Sequence, residues 1–225
     1  MMLALALGSA AITAGSLVYF DEDLAPFVLE KLPLPLEDVW MLALRVHVVA
    51  AAVCLPGCIL LFSTTLVRRA PRLHRWVGRV TATLVLLALV PSGLYLSLFA
   101  KGGLPSTLGF MLSGIIAGAA MVEGVRAARA RRFLEHRRWT LHVLAQLSVA
   151  VTSRAMLFAF DAAAVDEQVA YIVSLWLPVA GSFGLVELFW TRTRPSILPW
   201  RNHEALRDAR YPRLRPDRPR QARGG

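Results

Sequence analysis

The chain of 225 residues lacks most of the features that mark common enzyme classes. It has only two cysteines, Cys54 and Cys58, and both lie within one apolar run, so no disulfide framework is expected. The sequence contains no Cys-x-x-Cys-His motif for covalent haem, no phosphate-binding loop, no dinucleotide-binding glycine motif and no His-Glu-x-x-His zinc motif. No serine or cysteine has the setting of an activated nucleophile. Any chemistry must therefore depend on a noncovalent cofactor, a quinone or a bound metal.

Apolar residues dominate what is present. They make up 56% of the chain, and the mean hydropathy is +0.52, which is too apolar for an ordinary soluble domain. The formal net charge is +10, but the arginines lie in short connections between apolar runs and in the C-terminal segment. That distribution is typical of the positive-inside rule rather than of nucleic-acid binding. The composition predicts a multi-pass protein that contacts the lipid bilayer and does not bind nucleic acid.

Six apolar runs are each close to the ~20 residues that a helical membrane crossing needs. They predict an all-α, polytopic membrane helix bundle with about six transmembrane helices in residues 1–190. The predicted helices cover residues 3–20, 39–66, 77–100, 108–125, 139–160 and 169–190. Residues 191–225 are rich in arginine and proline, and we interpret them as a basic cytoplasmic tail near anionic headgroups.

The connections between the predicted helices alternate in charge. Those after helices two and four are rich in arginine, whereas those after helices one and five carry Asp and Glu. Because arginine-rich loops stay in the cytoplasm, the pattern predicts that both termini are cytoplasmic and that the protein lies in the cell inner membrane. The arginines of the two basic connections are Arg68, Arg69, Arg72, Arg75 and Arg79, and then Arg126, Arg129, Arg131, Arg132, Arg137 and Arg138.

Both basic connections deliver a histidine, an arginine and then a tryptophan to the membrane. His74 precedes helix three and His136 precedes helix five, so both should lie at a similar depth. Two neutral imidazoles on different helices can bind one haem iron from opposite sides, with Arg75 and Arg138 near the propionates. The alternative is that both histidines contact headgroups or water at the interface. Glu187, near the same face in helix six, is expected either to orient one of these histidines or to pair with an arginine.

His47 of helix two and Arg154 of helix five lie inside apolar runs, in the other half of the membrane. At 1.5 Å per residue, His47 is roughly 13 Å and Arg154 roughly 10 Å below the outer surface. An ionisable group at that depth is costly unless it faces a cavity, a ligand or a counter-charge. We expect the two residues to share a site for a quinone, a propionate or a polar substrate headgroup. The alternative is a purely structural ion pair between Arg154 and Asp161.

These motifs resemble those of a bacterial family of predicted membrane proteins catalogued as domain of unknown function 2306. The shared pattern is a histidine in helix two, HRWxGR opening one helix, HRRW opening a later helix, a membrane arginine after it, and aromatic residues near the last helix. By its position, His142 is an alternative inner haem ligand to His136. The family pattern is expected to carry arginine at this position, which argues against a haem role for His142. The matching residues are His47; His74, Arg75, Trp76, Gly78 and Arg79; His136, Arg137, Arg138 and Trp139; Arg154; and Tyr171 with Trp176.

A weaker likeness is to the two-haem transmembrane cytochromes b, which also place histidines on several helices at the two faces. His47 has no histidine partner near residues 110–116 of helix four, so at most one bis-histidine haem is indicated. The paired His-Arg-Trp segments favour a haem b protein that transfers electrons, with a quinone or another redox partner. Two alternatives remain open: a small-solute or proton transporter that uses His47 and Arg154, and a noncatalytic subunit of a larger membrane complex.

Overall fold

The structure of the protein is a computed structural model that describes residues 2–20, 26–29, 34 and 36–193. All regular secondary structure in these ranges is helical, which confirms the all-α prediction. Six of the helices are long and apolar enough to cross a membrane. We name them spans 1 to 6: Met2–Phe20, Glu37–Leu61, Pro71–Ser97, Leu104–Arg129, Phe133–Ala162 and Glu167–Arg192. Residues 194–225 of the predicted tail lie outside the described residues.

The ends of the spans differ from the prediction at the arginine-rich connections. The predicted helix two covered residues 39–66, whereas span 2 ends at Leu61 and a separate short helix covers Thr64–Arg69. The chain breaks there because Ser63 caps the short helix, its hydroxyl oxygen accepting a hydrogen bond from the Leu66 amide at 3.4 Å. Spans 3 and 5 begin about six residues earlier than predicted, because their first turns are too charged for a hydropathy criterion.

Two turns reverse the chain tightly between neighbouring spans. Gly102 and Gly103 adopt φ angles of 85° and 69° before span 4, in the left-handed region that suits glycine. Arg131 has a φ of 58° after span 4, and the Arg132 amide donates to the Ala127 carbonyl at 2.9 Å. This left-handed cap ends span 4 and lets span 5 begin two residues later. The first turn of span 5 is thereby brought back beside the last turns of span 4.

Span 2 occupies a central position, packing against spans 1, 3 and 5, while spans 4 and 5 share the most extensive helix contact. The largest buried cluster draws residues from spans 2 to 5, among them Cys54, Val85, Met121 and Val143. Span 4 approaches span 6 at Gly109, where a Cβ atom would lie 2.7 Å from Leu175 Cδ2. Small residues thus allow close helix packing, as is usual where lipid provides no hydrophobic driving force between helices.

Span 3 contains a π-helical segment, Val85–Leu89, that precedes Pro91. Proline has no amide hydrogen and its ring crowds the carbonyl four residues earlier, so a regular α-helix cannot continue through this position. The wider π turn redirects the backbone carbonyls and presents the Leu89 carbonyl to span 2.

The two ends of the six-span bundle differ in charge. We call the end with the short helix Thr64–Arg69 and the turn at Arg131 the basic end, and the opposite end, with Glu37, Asp161 and Glu167, the acidic end. At the acidic end, Lys101 Nζ lies 2.8 Å from Glu167 Oε1. The chain forms two units. The first, Met1–Leu188, contains the bundle, and of the second, Phe189–Gly225, the structure describes residues 189–193, which are helical.

Candidate functional site

An ionic cluster lies between spans 5 and 6 near the basic end. Arg138 donates from Nε to Glu187 Oε1 at 3.1 Å and from Nη2 to Glu187 Oε2 at 2.6 Å. His142 Nε2 lies 2.7 Å from the same Oε1 atom. Arg138 and His142 are four residues apart and therefore share one face of span 5. A single carboxylate thus holds a guanidinium and an imidazole from the neighbouring helix.

His142 is the most enclosed member of this cluster, with 1% of its surface exposed. Its ring centroid lies 4.9 Å from that of Phe183 and 5.8 Å from that of Trp139. Because the carboxylate of Glu187 is acceptor-only when ionised, Nε2 must carry the hydrogen of this bond. The buried Nδ1 atom has no hydrogen-bond partner among the described residues. His142 therefore contributes a buried polar atom without a partner among the described residues beside its bond to Glu187.

Gln146 continues the polar groups one turn further along span 5. Its Oε1 accepts from Ser113 Oγ of span 4 at 2.9 Å, and its Nε2 donates to Ser182 Oγ and the Val179 carbonyl of span 6 at 3.1 and 3.3 Å. The side chain is 4% exposed, and residue 146 lies near the middle of span 5. We call Arg138, His142, Gln146, Ser113, Ser182 and Glu187 the polar column. It runs about 12 Å, at 1.5 Å per residue along span 5, from the basic end towards the middle of the bundle.

The predicted histidine pair lies at the basic end beside this column. His136 Nδ1 donates to the Gly124 carbonyl at 2.8 Å, which leaves the Nε2 lone pair available to a ligand. His74, in the first turn of span 3, has a buried Nδ1 atom with no partner among the described residues. The two imidazoles lie close enough for their charges to interact. The two residues are 62 positions apart in the sequence.

His47 occupies the acidic half of the bundle, at the π-helical segment of span 3. Its Nδ1 lies 3.2 Å from the Leu89 carbonyl and 3.2 Å from Ser92 Oγ. Because a carbonyl only accepts, Nδ1 carries the hydrogen, and Nε2 makes no hydrogen bond among the described residues. A Cβ at Gly93 would lie 2.9 Å from His47 Cε1, so glycine is needed for this close approach.

Arg154 faces an apolar groove between spans 1 and 5. Its Nη1 donates to the Ala150 carbonyl of its own helix at 3.0 Å. No carboxylate of the described residues lies within ion-pair distance of its guanidinium, so the expected pair with Asp161 is not found. The groove has a volume of about 480 Å³. Its lining comprises Gly8, Ala11, Ile12, Gly15, Ser16, Tyr19, Val151, Arg154 and Ala155.

The structure brings several predicted residues together and adds others. One of the two expectations for Glu187 was a pair with an arginine, and Glu187 does pair with Arg138. The histidine that Glu187 contacts is His142 rather than His74 or His136. Arg75 is exposed on the first turn of span 3. Arg154 lies close enough to His47 for their charges to interact, which places both in one half of the bundle.

Sequence reasoning noted Gln146 as a polar residue in an apolar run without giving it a partner, and it missed Arg45 of span 2. Gln146 links three helices, and Arg45 of span 2 donates from Nε to the Tyr19 carbonyl at 3.2 Å while its guanidinium lies over the Phe20 ring. Both are polar residues within apolar runs, the feature that marked Gln146 and that could have marked Arg45. Cys54 and Cys58 are free and buried in the main core cluster. Among the described residues, no group of three or more His, Cys, Asp and Glu side chains could hold a metal ion.

Six apolar spans, with ionisable side chains kept mostly inside or at the ends of the bundle, define a multi-pass α-helical membrane protein. The chain belongs to the family described as predicted membrane protein (DUF2306), whose family model matches residues 44–190. The match begins within span 2, ends within span 6 and includes both histidine motifs. Comparison with curated proteins and with solved structures finds no match to the chain.

Proposed function

We propose that the protein is an electron carrier of the cell inner membrane that binds one noncovalent haem b between His74 and His136. The observation that carries the proposal is the pair of imidazoles at the basic end, one of them fixed by a backbone carbonyl. The bond from His136 Nδ1 to the Gly124 carbonyl is the kind of contact that sets the tautomer and orientation of a metal-ligating histidine.

The donor set fits haem better than a bare metal ion. Structural zinc sites use four protein ligands, whereas a haem iron needs only two axial ones because the porphyrin supplies the rest. The described residues offer two imidazoles here and no third metal-binding side chain in the same group. The buried, unpartnered Nδ1 of His74 also suits a ring whose partner is a bound group.

The charges around the histidines have separate roles in this proposal. Arg138 is engaged by Glu187 through two hydrogen bonds, so the exposed Arg75 is the guanidinium available to a propionate. When bound, haem iron supplies one-electron redox chemistry. The bond from His136 Nδ1 to the Gly124 carbonyl holds this imidazole in one orientation and leaves Nε2 as its ligand atom. A quinone is the electron partner that we propose, near the unbonded Nε2 of His47 in the acidic half.

A haem titration of the purified protein tests the proposal. Haem added to the detergent-solubilised protein should bind one equivalent per chain with a sharpened, red-shifted Soret band, since two imidazoles make the iron low-spin. The His74→Ala and His136→Ala variants should each bind at least about tenfold more weakly, as expected from losing an axial ligand. Unsaturable binding, or equal binding by the wild-type protein and both variants, would reject the haem site.

A second candidate function, proton or small-solute movement through spans 4 to 6, is favoured by the polar column. His142 offers a buried Nδ1 atom, and Gln146 links the column to Ser113 and Ser182 near mid-bundle. Ionisable groups inside a bundle are costly and commonly mark ion pathways. In liposomes containing a pH-sensitive dye, Gln146→Leu should abolish proton flux if this function holds. Flux no greater than in protein-free liposomes would exclude proton movement.

A further inference from the structure

Neither the positive-inside rule nor an ion pair among the described residues explains the position of Arg154. It lies eight residues before the acidic end of span 5, about 12 Å along the helix, whereas the positive-inside rule concentrates arginine at the opposite end. Its Nη1 bond to the Ala150 carbonyl satisfies a hydrogen but does not balance the charge. A guanidinium inside the apolar layer without a counter-charge is costly. The site therefore calls for an anion from outside the described part of the chain.

The groove beside Arg154 is shaped by two glycines of span 1. At Gly8 the two helices meet, because an added Cβ would overlap the side chain of Val151. At Gly15 the helices have separated, since nothing lies within 4 Å of an added Cβ. The groove thus opens from Gly8 towards the acidic end, and its volume of about 480 Å³ is in the range of ligand sites, about 300 to 1,000 Å³.

Lining and charge together point to a single kind of occupant. Apart from Arg154, the groove is lined mainly by small and apolar residues, including Ala11, Ile12 and Val151. This surface suits an acyl chain, and the one guanidinium among these lining residues suits a phosphate, which arginine binds with paired hydrogen bonds. Arginine side chains near the ends of membrane helices also extend towards the headgroup layer.

We propose that the groove between spans 1 and 5 binds one anionic phospholipid, its phosphate on Arg154 and one acyl chain running from Gly15 towards Gly8. The site is independent of the haem proposal, because it lies in the other half of the bundle and uses neither His74 nor His136. The lipid fills the groove and supplies the charge that neighbouring helices do not. It also joins span 1, the least buried of the six spans, to the rest of the bundle.

Native mass spectrometry of protein released from nanodiscs tests this site. The nanodiscs contain phosphatidylglycerol and phosphatidylcholine in equal parts, and the readout is the number of phosphatidylglycerol molecules retained per chain. Arg154→Gln removes the positive charge. Gly15→Leu fills the groove without a clash, because no atom lies within 4 Å of a Cβ added at Gly15. Each variant should retain phosphatidylglycerol at least about tenfold more weakly than the wild-type protein, as expected for loss of a charge-assisted contact.

Two matched controls separate the site from general charge and bulk effects. Arg137→Gln removes an exposed arginine at the basic end, and Gly184→Leu adds the same bulk at another helical glycine with nothing within 4 Å. Both should retain the lipid as the wild-type protein does. Retention unchanged in Arg154→Gln, or unchanged in Gly15→Leu, would overturn the proposal, as would equal loss in the controls. A retained mass of a fatty acid or a quinone in place of phosphatidylglycerol would overturn the assigned occupant.

Discussion

The basic and acidic halves of the bundle treat the same residue types in opposite ways. On span 5, Arg138 is held by Glu187 of span 6, whereas the one hydrogen-bond acceptor of Arg154 among the described residues is a carbonyl of its own helix. The histidines divide similarly: His136 lies close enough to His74 for their charges to interact, while Nε2 of His47 makes no hydrogen bond among the described residues. The difference shows that the role of an ionisable group in a membrane helix depends on which charged or polar partner the neighbouring span supplies.

The histidines provide the largest expected contrast between the halves. His136 and His47 both use Nδ1 to contact a backbone carbonyl, at 2.8 and 3.2 Å, so they differ mainly in their surroundings. In protein purified from haem-replete cells, His136→Ala should lower the haem content at least about tenfold, because an axial ligand is lost, and His47→Ala should leave it unchanged. Haem content measured by pyridine haemochrome decides this, and equal loss in both variants would erase the contrast.

The ionic cluster should dominate the stability of the basic half. Glu187→Gln removes the charge that holds Arg138 and His142 and should cost about 2 kcal/mol in the free energy of unfolding, the scale of hydrogen bonds to charged groups. Glu135→Gln breaks an exposed pair with Arg132 and should cost less than about 0.5 kcal/mol. Unfolding in mixed micelles measures both values. A loss for Glu187→Gln no larger than for Glu135→Gln would show that the cluster is not structurally important.

Gln146 of span 5 should contribute less to stability, although it bonds to both span 4 and span 6. Interhelical hydrogen bonds in membranes average about 0.6 kcal/mol, so Gln146→Leu should lower the free energy of unfolding by about 1 kcal/mol. Gln168→Leu, at an exposed position of span 6, is the matched control and should be neutral. The same micelle assay measures both. A neutral Gln146→Leu would mean that the links to Ser113 and Ser182 do not hold the spans together.

The smallest effect on stability is expected at Arg154. Because no carboxylate of the described residues pairs with it, Arg154→Gln in lipid-free micelles should change the free energy of unfolding by less than about 0.5 kcal/mol. Arg138→Gln should cost about 2 kcal/mol in the same assay, since it leaves the Glu187 carboxylate without its guanidinium partner. Equal losses for the two arginines would contradict the difference between the two halves.

Much of the fold could be predicted from hydropathy and charge alone. The six crossings were predicted because apolar runs of sufficient length are visible without knowing their packing. The ends of spans 2, 3 and 5 were not, because Ser63 breaks an apolar run by a local cap and because the first turns around His74 and His136 are amphipathic. A hydropathy window records neither a cap nor a charged helical turn.

The candidate site was predictable only where a motif repeated. The HRW and HRRW segments indicated His74 and His136, but the contact of His142 with Glu187 joins residues 45 positions apart and depends on how spans 5 and 6 are rotated. Asp161 was a plausible partner for Arg154 because the two share a face of one helix. Seven residues of helix separate them by roughly 10 Å, beyond the reach of an i, i+4 pair. The rotation of one helix against its neighbour and the distance between side chains depend on tertiary structure, which a single sequence does not reveal.

The most direct measurement of the central claim is a reduced-minus-oxidised absorption spectrum of the protein in its own membranes, from cells supplied with haem. A protein that binds haem between these histidines should show a sharp α band with a Soret shift, and the band should be absent when His74 and His136 are both replaced by alanine. A flat difference spectrum from well-expressed wild-type protein would contradict the account, as would an α band that survives in the double variant.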